Sequence, residues 1–158
     1  MNADFFIRVH PRQSVSQSKM TVITRELQLR TKGDCDVQDI TDYVLRALEE
    51  SQLTSGLATV FCPGSTGGLT TIEYESGVVK DLKQVLDEIT PPDRDYRHHE
   101  RWGDDNGRSH IRAALMGPSL TVPFVGGRLT LGTWQQIVFC DFDTRPRTRS
   151  LIVQLMGE

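Results

Sequence analysis

The chain has 158 residues, of which 37% are hydrophobic and 25% charged, and its net charge is −3 at pH 7. A length like this suits one domain that buries about two-thirds of its unfolded surface without help from disulfides. The composition excludes a disordered or membrane-spanning chain, and the acidic balance argues against a nucleic-acid partner, which calls for a basic surface. The three cysteines, Cys35, Cys62 and Cys140, are odd in number and lack a CxxC spacing. That usage fits a reducing compartment better than a disulfide framework or a thiolate cage. No run reaches the 18 apolar residues of a membrane span and the first residues lack a signal-peptide core, so the expected location is the cytoplasm.

Residues 1–19 read as a poorly structured extension to a single domain. In residues 21–31, "TVITRELQLRT", Ile23, Leu27 and Leu29 fall at even spacing among charged residues, which predicts a half-buried strand. Asp36 offers an N-cap and Asp39 a first-turn negative charge. Val37, Ile40, Val44, Ala47 and Leu48 then predict an amphipathic helix over 37–51. The near-continuous apolar run at 57–62 predicts a strand that Pro63 and Gly64 break, and Leu69–Glu75 reads as a β-branched strand. Val78, Val79, Leu82, Val85, Leu86 and Ile89 predict a second helix, stopped by Pro91–Pro92. A polar segment over 93–109 reads as loop. From His110 the period becomes two: Ile111, Ala113 and Leu115 alternate, then Leu120, Val122 and Phe124, with Gly126–Gly127 as a hairpin turn. "RLTLGTWQ", "QIVFCDFD" and "SLIVQLM" complete about eight strands. Two amphipathic helices among antiparallel strands predict an α+β fold of sandwich-like sheets.

Four stretches carry candidate chemistry. "PGSTGGLTT" (63–71) offers glycines and hydroxyls for a backbone nest around an anion, or simply a turn; it lacks the Lys-Ser/Thr of a nucleotide loop. Glu73 and Glu75, two apart, share a strand face as an acid–base pair or a solvated face. Arg145, Arg147 and Arg149 would share one strand face, suited to phosphate or paired with Asp141 and Asp143. "YRHHERWGDDNGRSH" (96–110) gathers His98, His99 and His110 with Glu100, Asp104, Asp105 and Asn106. Imidazoles and carboxylates together suit metal binding or proton transfer, or the stretch is a solvated loop; the spacing matches no compact zinc motif.

The run from Tyr96 onward also resembles the signature of the YjbQ family, the secondary thiamine-phosphate synthase family. Tyr96, His98, Asn106, His110, Gly117, Ser119, Val122, Pro123, Gly127, Leu129, the "LGTWQ" of 131–135, Phe142, Asp143 and Arg147 carry the resemblance. "PGSTGGLTTIEYE" and Asp81–Leu82 extend it over residues 20–157. Many family members carry a histidine where this chain has Gly64; the chain resembles a subgroup with "GST" at this point. Either His99, Glu73 or Glu75 then stands in for that histidine, or the activity differs.

The resemblance implies a homotrimer, with sites near subunit interfaces and a divalent metal (zinc or magnesium) or an anion beside the histidines. It also implies condensation of a hydroxymethylpyrimidine diphosphate with a thiazole phosphate. His98, Asn106 and His110 are then the catalytic candidates, and Ser65, Thr66 and Gly67 the phosphate-binding ones. His98 and His110, joined by Asp105 or Glu73, are the candidate metal ligands. The competing readings are a non-catalytic metal- or anion-binding trimer and a metal-dependent hydrolase of a phosphorylated small molecule.

Overall fold

A computed structural model describes residues 19–158, so the expected extension lies, apart from Lys19, outside the described residues. The elements run β1 (Thr21–Thr31), β2 (Asp36–Asp39), α1 (Thr41–Ser51), β3 (Ser55–Phe61), β4 (Gly67–Ile72), α2 (Ser76–Ile89), α3 (Arg97–Trp102), α4 (Gly107–Met116), β5 (Ser119–Val125), β6 (Arg128–Leu129), β7 (Gln136–Asp141) and β8 (Arg147–Gly157). The architecture is α+β, built on antiparallel sheets.

The layering follows from the continuous apolar run of β7. Its alternate side chains enter two cores: Ile137 and Phe139 face one, Val138 and Cys140 the other. A strand buried on both faces loses the hydrophobic–polar alternation of a half-exposed one. On its first side, the three-stranded sheet β2-β7-β4 faces the five-stranded sheet β1-β8-β3-β5-β6. Ala58, Val60, Phe124, Leu151, Val153 and Leu155 fill the space between, and Val44, Ala47 and Leu48 of α1 join the same core. On the second side Leu86 of α2 and Ala113 of α4 pack with Val138, Cys140 and Phe142.

Several elements depart from the sequence expectation. Residues 36–39 pair with β7 as a short strand, so the first helix begins at Thr41 and not at 37. Asp39 still serves the helix start, accepting from the Thr41 N–H and hydroxyl at 2.8 and 2.6 Å. The expected loop over 93–109 contains α3, and the expected strand at 110–115 lies in α4. Of "RLTLGTWQ", only Arg128–Leu129 is strand. Gln135 closes the remainder by accepting the Gly132 N–H at 2.9 Å. The hairpin turn stands as expected, since Gly126 and Gly127 take φ of 60° and 70°, values that favour glycine.

All three cysteines are free and buried. Burial pushes the Cys35 thiol up to about 11 despite the nearby Arg112 charge, and it also raises Cys62 and Cys140 above their ordinary 9.0. A folded-state value above the unfolded one gives stability that is complete below the unfolded value and lost as pH rises through the folded value. The urea midpoint is therefore expected to fall between about pH 8 and about pH 10.5, and to fall less in Cys140→Val. Identical slopes in the two proteins would remove the Cys140 thiol as a cause.

Candidate functional site

The loop between β3 and β4 crosses from one sheet to the other. The Cys62 N–H donates to Pro118 O (2.8 Å) and the Phe142 N–H to Thr66 O (2.8 Å), so both sheets anchor it. Its second anchor requires Gly67: a Cβ there would lie 2.7 Å from the Phe139 ring and 3.0 Å from Cys62 Sγ.

α4 lies against β4 and brings His110 to this loop. At its first turn Gly107 meets Tyr96, where an added Cβ would lie 2.5 Å from Tyr96 Cβ and 3.2 Å from His98 Cβ. That close approach sets α3 beside α4, so the His98 and His110 rings stand 4.5 Å apart, centre to centre, tilted by 44°. His98 Nε2 is 3.3 Å from Asp104 Oδ1, and His99 Nε2 is 3.3 Å from Asp105 Oδ1. His99 Nε2 is buried without a hydrogen-bond partner among the described residues, as are Asn106 Oδ1 and Ser109 Oγ.

A pocket of about 230 Å³ opens between loop and helix, lined by Gly64, Ser65, Gly67, His110, Ala113, Ala114 and Pro118. Ser65 and Gly67 meet His110, more distant in sequence, here. His98 adjoins through the His110 ring, and Asn106 sits at the start of α4. Thr66 does not line the pocket. It is buried, and its hydroxyl accepts from Arg149 Nη2 (2.7 Å) and lies 3.3 Å from Asp143 Oδ2.

The two glutamates go elsewhere, because β4 ends at Ile72. Glu75 caps α2, and hydrogen bonds from the Gly77 and Val78 N–H groups hold its carboxyl below the ordinary 4.5. It therefore forms no strand-face acid–base pair with Glu73. Asp105 stands by His99 rather than His98. Among the described residues no three His, Cys, Asp or Glu side chains gather as a metal-binding group. Two stacked imidazoles do not meet the three-ligand minimum of a catalytic zinc site. The described residues of a single copy therefore do not complete such a zinc site.

Behind the loop is a network that the sequence only hinted at. Asp141, fully buried, accepts from Arg149 at both oxygens (Nε–Oδ2 2.7 Å, Nη2–Oδ1 2.6 Å) and from the Thr31 hydroxyl. Asp143 pairs with Arg147 (2.8 Å). Burial pushes the Asp143 carboxyl up, but the Arg147 hydrogen bond and the Arg147 and Arg149 charges together outweigh it and leave it below 3.8. The arginines therefore pair with Asp141 and Asp143, the second of the two readings of the basic tail; Arg145 lies before β8.

Two antiparallel sheets with helices packed on the smaller one, and a glycine-hydroxyl loop facing a helix-borne histidine, define an α+β protein with a small pocket. A family profile described as UPF0047 protein YjbQ-like matches residues 25–158, and the chain belongs to that family. It is 40% identical over 139 residues to a UPF0047 protein of Methanothermobacter thermautotrophicus, covering 88% of this chain and 95% of that one. It is 37% identical to the UPF0047 protein YugU of Bacillus subtilis, covering 84% and 98%. Among solved structures it is similar to a YbjQ-like protein of unknown function from Sulfolobus solfataricus, with a TM-score of 0.84 and 30% identity, covering 89% of this chain and 100% of that one.

Proposed function

We propose that the chain is an enzyme of the secondary thiamine-phosphate synthase type, acting on a phosphorylated small molecule between the 64–67 loop and α4. The observation that supports this reading is the shared pocket of Ser65, Gly67 and His110, with the His98 ring 4.5 Å from that of His110. In such a condensation the thiazole nitrogen attacks the methylene carbon of the pyrimidine. The carbon–oxygen bond breaks, and its electron pair leaves on pyrophosphate. Donors placed where that charge develops lower the barrier. Ser65 Oγ–H and a ring N–H of His110 are such donors. Asn106, at the start of α4 and with its Oδ1 unpartnered among the described residues, is the candidate to orient a substrate N–H. Ala113, Ala114 and Pro118 give a ring an apolar wall.

A second reading, non-catalytic anion binding, draws on pocket size: 230 Å³ is below the roughly 300–1,000 Å³ usual for substrate pockets. A divalent metal held at His98 and His110 would need further donors from another copy, in keeping with a homotrimer. The outward row Val22, Met156, Leu57 and Pro123, adjacent by strand register, gives such copies an apolar surface to cover. Among the described residues no helix is long and apolar enough to cross a membrane. We assign the protein to a reducing cytoplasm, which the three free thiols suit.

The deciding assay is pyrophosphate release with the two thiamine precursors. His98→Ala/His110→Ala is expected to lose turnover by 100-fold or more, on the order of one lost acid–base or oxyanion group, while its melting stays near that of the parent. Light scattering and metal analysis of the same samples read the trimer and any bound ion. Unchanged release in the double variant excludes these histidines, and no release by the parent chain leaves the binding reading in its place.

A further inference from the structure

We propose that Arg149 receives the anionic group of the ligand, through the side-chain position that Gly64 leaves vacant; this rests on the anion-pocket reading of the 64–67 loop. β3 and β8 pair with Phe61 opposite Ile152. Carried three residues further, that register sets Gly64 beside Arg149. A Cβ on Gly64 would lie 3.6 Å from Arg149 Nη1 and 3.8 Å from Cys62 Sγ, so the position is open and its nearest neighbour is a cationic nitrogen.

The remainder of the guanidinium is committed. Nε and Nη2 hold Asp141, and Nη2 also reaches Thr66 and, at 3.5 Å, Asp143. Nη1 makes no hydrogen bond among the described residues. Arginine presents five donors in a rigid fork, so a guanidinium clamped on one edge aims the remaining N–H groups in a fixed direction. Here that direction is toward a loop with Gly64 and Ser65 exposed. Its side chain is 14% exposed, leaving the free edge within reach of solvent. A phosphoryl oxygen at this point takes a charge-assisted bond from Nη1 while its other oxygens meet Ser65. Asp141 cancels much of the guanidinium's long-range field, so the gain comes from the directed hydrogen bond. A side chain at position 64 would close the approach, which gives glycine there a chemical purpose.

Titration calorimetry with inorganic pyrophosphate, on the full chain, tests this with Gly64→Ala, Gly64→Asp and His110→Ala. Gly64 takes no positive φ and its Cβ contacts are ordinary van der Waals distances, so both replacements are expected to fold. Gly64→Asp supplies Nη1 with an internal carboxylate: it is expected to melt above Gly64→Ala and to bind pyrophosphate at least about tenfold more weakly than the parent. Gly64→Ala is expected to fall between. If His110→Ala weakens pyrophosphate but Gly64→Asp binds it like the parent, or melts no higher than Gly64→Ala, Arg149 is overturned as the receptor and the pocket reading stands. If the parent binds no pyrophosphate, the pocket reading falls and Arg149 with it.

Discussion

Asp141→Ala is expected to lower the unfolding free energy by about 3–5 kcal/mol, read as a fall in urea midpoint at unchanged slope. Asp141 is fully buried on β7, and its two oxygens take the Arg149 guanidinium and the Thr31 hydroxyl, while its Oδ1 also accepts the Asp143 N–H at 2.9 Å. One carboxylate thereby ties β1, β7 and β8 across the two sheets at the end where the 64–67 loop crosses. Its removal leaves a mostly buried guanidinium with only Thr66 and a distant Asp143, and a charge stranded in this way costs far more than the intact pair contributed. A guanidinium holds its proton far above neutral pH, so shedding the proton is no escape. A double variant, Asp141→Leu/Arg149→Met, is expected to recover most of the loss, because the unpaired charge is gone. A loss below about 1 kcal/mol in the single variant would place Arg149 among ordinary surface ion pairs.

The elements legible in the sequence are those whose buried face is apolar. The even spacing of Ile23, Leu27 and Leu29, the run of β7 and the helical spacing of α2 all report side chains that lie in a core. α4 inverts that relation. Its buried residues include Ser109 and Arg112, whereas Ile111 and Leu115 are 46% and 62% exposed. Hydrophobic periodicity therefore reads Ile111, Ala113 and Leu115 as an alternating strand, although of the three only Ala113 is buried, beside the polar Ser109 and Arg112. β2 was hidden for a different reason: "DVQD" is strand through long-range pairing with β7, and its own residues carry little β preference.

The site divides in the same way. The glycine-hydroxyl loop and His110 could each be named from residue type, but their meeting depends on α4 lying across β4, which no local pattern encodes. The two-residue spacing of Glu73 and Glu75 pairs them only inside a strand, and β4 ends at Ile72, before either glutamate. Arg149 was visible only as one of three alternating arginines. Its clamp on Asp141, its free nitrogen and the vacancy at Gly64 come from the antiparallel register of β3 and β8 and from the packing of two sheets.

Arg112→Leu is expected to cost a further 3–5 kcal/mol, about as much as Asp141→Ala and by a related route. Arg112 is 1% exposed, and its guanidinium reaches from α4 to the C-terminal end of α2. Its Nε donates to Thr90 Oγ1 (2.7 Å), and its Nη2 to Asp87 Oδ1 (2.7 Å), Thr90 O (3.0 Å) and Leu86 O (3.3 Å). The last carbonyls of a helix lack partners within it, and a cation there meets both their hydrogen bonding and the negative end of the helix dipole. Leucine would leave the Thr90 carbonyl facing an apolar chain and take a donor from Thr90 Oγ1 and Asp87, while Leu86 O keeps the Thr90 N–H. Lysine keeps the charge but not the planar fork, so Arg112→Lys should lose less than Arg112→Leu and more than a surface change. Urea unfolding followed by Trp102 and Trp134 fluorescence ranks the three proteins. Because the same residue seats α4, Arg112→Lys is also expected to weaken pyrophosphate binding at His110 under conditions where it remains folded. A folded Arg112→Lys with parental affinity would show that α4 is seated by its contacts with β4 and not by this bond to α2.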